Sequence, residues 1–185
     1  MINNYINKII NAASGRNVLI FLVPSLAVYS VMLFYTIPGV QSYAPEMKVF
    51  DLLPGGYSYD YAMKLLSSLG DEGRKEYLYT QLLLDFIYPA LFAISSCLLL
   101  AWLFSKRNDK GSSIFYFCFV PVIAGIFDYL ENMQIVLMIL NYPDVSKLQV
   151  VLSSVSTVAK SGLTTVFFLL LIFGILRLWT GLRSA

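Results

Sequence analysis

The chain has 185 residues, of which 58% are hydrophobic and 13% charged, with a formal net charge of +2 and no histidine. Soluble domains carry roughly 45–50% apolar and about 25% charged residues, so this composition belongs to the membrane class, and no basic cluster or motif points to nucleic acid. Without histidine, His-ligated haem, the usual His-bearing zinc sites, Ser-His-Asp triads and His proton shuttles are excluded.

In chain order, Ile2, Tyr5, Ile6, Ile9, Ile10 and Ala13 follow helical spacing and predict a short interfacial helix. The first long apolar run covers residues 18–37, after Lys8 and Arg16. Its length of about 20 residues exceeds the 7–15 of an ordinary signal-peptide core, so it is expected to be a retained helix. Three more runs, 79–104, 114–140 and 150–176, are long enough to cross roughly 30 Å of hydrocarbon at about 1.5 Å per residue. The expected fold is therefore all-α: a single domain over residues 1–185, a polytopic four-transmembrane-helix bundle with interfacial amphipathic helices.

Residues 38–76 form the one sizeable extramembrane piece. Pro54-Gly55-Gly56 reads as a turn, and Ser58 as the cap of a short helix that Gly70 ends. Tyr61, Ala62, Leu65, Leu66 and Leu69 share a face, which places this helix on the membrane surface or over the bundle mouth. Asp71 is expected to cap the next turn. No internal repeat or low-complexity segment is visible.

Charge in the flanks sets the orientation. Lys8, Arg16, Lys106, Arg107, Lys110, Arg177 and Arg183 gather on one side with the single acid Asp109. The other side holds five cations against seven acids, Asp51 among them. The cation-rich side reads as cytoplasmic, so a multi-pass protein of the cell (inner) membrane is expected, with both termini inside. Trp102 and Trp179 then fall at the inner interface. Cys97 and Cys118 lack CxxC spacing and read as small buried hydrophobes.

Four ionisable residues lie inside the apolar runs: Asp85, Asp128, Glu131 and Lys160. A charge in hydrocarbon costs several kcal/mol, so such groups face a bundle interior or cavity, pair with one another and mark function. On the third span Asp128, Glu131 and Asn132 stand at i, i+3 and i+4, with Gly125 and Pro121 extending the face. Gln81, Asp85, Tyr88 and Ser95 or Ser96 make a stripe on the second span, and Pro89 is expected to kink it and free a carbonyl near Asp85. The fourth span aligns Ser153, Ser156, Thr157, Lys160 and Thr164; the first aligns Ser25, Tyr29 and Thr36. Counted along the helices, the four ionisable groups fall in one layer of about 10 Å in the outer half to middle of the bilayer. Lys160 is expected to pair with one carboxylate. Asp85, Asp128, Glu131 and Lys160 are the candidates for proton transfer, and Tyr88, Asn132, Gln81, Thr157 and Tyr29 for ligand contacts. No cofactor or metal is implied.

Asp85-Phe-Ile-Tyr-Pro89, Phe127-Asp-Tyr-Leu-Glu-Asn132 and Leu69-Gly-Asp-Glu-Gly-Arg74 resemble signatures of small, uncharacterised bacterial four-span membrane proteins. That resemblance covers most of the chain and implies no activity. At the level of architecture the chain is also similar to the emopamil-binding/sigma-2 receptor class, with four spans, a long outer loop after the first and interior acids. Asp85 stands roughly where that class has an acid. The similarity implies sterol isomerisation or binding of hydrophobic amines, against which stand the missing histidine and third-span acids that fit no shared pattern.

Three functions compete. The first is a lipid-facing enzyme or binder of a hydrophobic, lipid-like or amine ligand that enters laterally or from the outer leaflet, with membrane lipids as partners. The second is a small proton- or cation-coupled transporter, in which a homo-oligomer would supply symmetry that the chain lacks. In the third, an assembly subunit, the polar layer is only interhelical glue.

Overall fold

A computed structural model describes residues 2–106 and 113–183, with side chains for 4–106 and 113–180. The flanking charges Arg107, Asp109 and Lys110, and the side chains of Ile2 and Arg183, lie outside that description. All regular structure among the described residues is helical.

Helix α1 (Ile2–Ala12) lays Ile6 into a cluster with Cys97, Leu100, Ala101, Phe104 and Phe115, as its spacing predicts. Ser14 caps the next helix by accepting from the Asn17 amide at 3.1 Å. Helix α2 (Gly15–Gln41) is the first apolar helix and contains a wide π turn at Met32–Thr36. The Gln41 side chain then gathers the loop, bonding the Ala44 and Met47 carbonyls and the Val49 amide.

Ser58 caps helix α3 (Tyr59–Glu76) through the Tyr61 amide, as expected. Gly70 interrupts the helix at φ 61°, the left-handed region that glycine enters without a Cβ clash. Ala62, Leu65, Leu66 and Leu69 are buried against Ile135, Met138 and Val150, so α3 sits on the bundle end. Asp71 does not act as the expected cap; its carboxylate pairs with Arg74, which also donates to the Leu66 carbonyl.

A second π turn, Tyr77–Gln81, and the short helical turn Leu82–Asp85 lead into α4 (Tyr88–Ser105). A 3-10 turn, Ser113–Phe119, precedes α5 (Val120–Asn141), and α6 (Lys147–Arg183) follows, longer than the run read from sequence. Among the described residues four helical stretches are long and apolar enough to cross a membrane: Gly15–Gln41, Tyr59–Ser105, Ser113–Asn141 and Lys147–Thr180. Their outward faces carry exposed Leu19, Ile20, Val23, Phe168, Leu169, Ile172 and Phe173, a surface suited to acyl chains.

Helix α5 packs between α4 and α6, and α2 packs on α4. Gly125 makes the α4–α5 approach close, since a Cβ there would sit 3.0 Å from the Pro89 carbonyl oxygen. Helices α2 and α6 have no comparable interface with each other, which leaves a seam between the first and last helices.

Candidate functional site

Pro89 has no N–H, so the carbonyl four residues earlier, that of Asp85, loses its helical donor. The Asn132 side-chain amide supplies one instead, at 2.7 Å, while Tyr129 donates to the neighbouring Phe86 carbonyl at 2.9 Å. The freed carbonyl expected from the sequence is thus the joint between α4 and α5. The Asp85 side chain, 4% exposed, lines the interior of the bundle.

The helical spacing on α5 brings Asp128 and Glu131 to Lys160 of α6. The Lys160 ammonium lies 3.3 Å from Asp128 Oδ1 and is paired with Glu131 Oε2. One carboxylate partner was expected; there are two, because residues three apart on a helix present adjacent oxygens to a long flexible amine. Thr157 donates to Glu131 Oε1 at 2.7 Å, and Glu131 is 1% exposed. Asn132 Oδ1 has no hydrogen-bond partner among the described residues.

A fourth acid joins these from the loop. Asp51, in the 3-10 turn Phe50–Leu52, accepts from the Tyr77 hydroxyl and, at 3.1 Å, from the Gln81 amide. Gln81 is itself oriented by the Thr36 hydroxyl, a bond that links the two π turns. Asp51 and Asp85 line the same cavity end. From the sequence Asp51 is one of seven acids on the side away from the cation-rich flanks. The available signal was its position between Val49-Phe50 and Leu52-Leu53, a lone acid in an apolar run.

The turn after Asp51 plugs the loop end. Gly56, at φ +81°, lies so close to α6 that a Cβ would stand 2.5 Å from Ser154 Oγ. The Tyr57 amide donates to that same oxygen at 2.8 Å, and its hydroxyl meets Ser153 Oγ at 2.7 Å. Burial pushes the Tyr57 phenol well above its ordinary value, so it stays protonated.

Beneath the plug lies a cavity of about 650 Å³. Asp51, Asp85, Asp128 and Lys160 form its polar end, with Tyr29 and Tyr88 beside them. Leu22, Leu26 and Leu33 of α2, Phe92 and Leu99 of α4, and Phe167, Phe168 and Leu171 of α6 make apolar walls, with Ser25, Ser95, Ser96 and Thr164 among them. From Leu22 to Leu33 the α2 wall runs about 17 Å at 1.5 Å per residue. Leu26 and Tyr29 of α2 and Phe168 of α6 are exposed and line it where these two helices do not pack on each other, so the cavity is open along the α2–α6 seam.

Of the sequence-derived candidates, Asp85, Asp128, Lys160, Tyr88 and Tyr29 line the cavity. Glu131, Thr157, Gln81 and Asn132 stand behind it, holding Lys160, Asp51 and the Asp85 backbone in place. No group of three or more metal-ligating side chains is present among the described residues. Comparison with protein-family models, curated proteins and solved structures found nothing that matches this chain.

Proposed function

We propose that this is a multi-pass membrane protein that binds a lipid-like amphiphile or hydrophobic amine through the α2–α6 seam. The observation that carries this reading is one cavity with a carboxylate/lysine end, long apolar walls and a sideways mouth. Ligand sites of about 300–1,000 Å³ with apolar linings and a few convergent polar groups are the usual form of small-molecule pockets. A chain would enter from the hydrocarbon and its polar group would meet Asp51, Asp85, Asp128 and Lys160. The charge asymmetry of the flanks orients the polar end toward the outer half of the bilayer, with both termini cytoplasmic.

Mass spectrometry of lipids that co-purify in mild detergent tests this. The wild type retains one amphiphile above its share of the bulk lipid. Asp128→Asn and Thr164→Trp, the second filling the cavity, lose it while keeping the wild-type circular dichroism. Equal retention of bulk lipid by all three proteins contradicts the reading.

A further inference from the structure

Most hydroxyls on these helices have protein partners. Ser30, Ser95, Ser105, Ser156 and Thr165 donate to the carbonyl one turn earlier. Thr157 holds Glu131, and Ser153 and Ser154 hold Tyr57. Such bonds satisfy a hydroxyl in an apolar surrounding with no ligand. Ser25 of α2, Ser96 of α4 and Thr164 of α6 make no hydrogen bond among the described residues, and all three line the cavity. Ser25 is 4% and Ser96 3% exposed, so each is a buried hydroxyl with the cavity as its only outlet.

Aromatic contacts set the depth of these groups. Tyr29 stacks on Tyr88 with ring centroids 5.3 Å apart, and Phe92, one turn beyond Tyr88, meets Phe167 of α6 edge-on at 5.4 Å. Ser25 stands one turn from Tyr29, and Thr164 one turn from Lys160, both on the side away from the charged end. Ser96 stands one turn beyond Phe92. At about 1.5 Å per residue the hydroxyls lie roughly 6–12 Å along the cavity from its charged end.

We propose that Ser25, Thr164 and Ser96 form a neutral subsite for the carbonyl of an acyl ester. The ligand is then an ester-linked acyl lipid, its head group at the charged end and its chain running past Ser96. This rests on the amphiphile-binding reading above. A plain hydrocarbon chain would lie against three hydroxyls and leave them unsatisfied, which a buried polar group tolerates poorly. A carbonyl oxygen has two lone pairs and can accept from hydroxyls on facing helices. In an acyl ester that oxygen sits just inside the head group, at the depth of Ser25 and Thr164. A simple alkyl amine has no acceptor there.

The test incubates the full chain in mild detergent with equal amounts of 1-dodecanoylglycerol and 1-O-dodecylglycerol. The two share chain length and neutral head group and differ only in the ester carbonyl. After repurification both are quantified by mass spectrometry against protein-free micelles. The wild type is expected to retain the ester about tenfold over the ether, a difference of about 1.4 kcal/mol. Ser25→Ala and Thr164→Val each bring the ratio below about threefold, and together to about one. Both probes report on the same folded molecules, so partial misfolding does not move the ratio. Ser156→Ala, whose hydroxyl returns to the Leu152 carbonyl, keeps the wild-type ratio. Equal retention of ester and ether by the wild type, the result expected if water alone wets the hydroxyls, overturns the subsite, as does an unchanged ratio in the double substitution; the amphiphile reading then stands. If neither probe is retained and no lipid co-purifies, both fall.

Discussion

Asp128 and Glu131 stand one helical turn apart on α5 and both reach Lys160, so removing the lysine strips two buried carboxylates of their cation. Breaking a buried pair from one side costs about 3–5 kcal/mol, because the remaining charge stays desolvated. Lys160→Met is expected to destabilise by that order in equilibrium unfolding in mixed SDS micelles. Lys160→Met with Glu131→Gln should lose less than the sum of the single changes, by about 0.5–3 kcal/mol. Additive losses for both acids would sink the ion-pair assignment. Four of the five ionisable groups in this cluster were legible in the sequence because charge inside an apolar run is anomalous by itself. Asp51 was not. An acid in a loop is ordinarily solvated, and only the fold shows that the loop turns back into the bundle.

At the scale of elements, irregularities in the helices place the site. Pro89 frees the Asp85 carbonyl for Asn132, and the two π turns bring Thr36 to Gln81 and Gln81 to Asp51. Local wide turns of this kind recur at functional sites. The proline effect could be read from sequence because the missing N–H is a property of one residue. The π turns could not, since Met32–Thr36 and Tyr77–Gln81 carry no residue that demands them. The plug tests the element directly. Gly56→Ala adds a Cβ in the left-handed region and against Ser154, and is expected to cost about 1–3 kcal/mol. Gly55→Ala, where nothing lies within 4 Å of the added atom, should stay within about 0.5 kcal/mol. Comparable losses at both positions in the same unfolding assay would contradict close docking of this turn on α6.

Across the whole molecule, four long apolar helices make a bundle closed on one side by α5 and open between α2 and α6. Run lengths and periodicity in the sequence sufficed for the helix count, the α3 cap at Ser58 and the break at Gly70. They could not show which helices touch, and so could not place the seam between α2 and α6. In the proposed function that seam is what joins the carboxylate cluster to the hydrocarbon. The most direct test is an experimental density map of the protein purified from its native membrane. It should show an elongated, unbranched density lying between α2 and α6, its polar end against Asp85 and Asp51 and its tail running toward Leu22 and Leu171. A seam closed by direct α2–α6 packing, or lipid density everywhere on the surface except in this cavity, would contradict it.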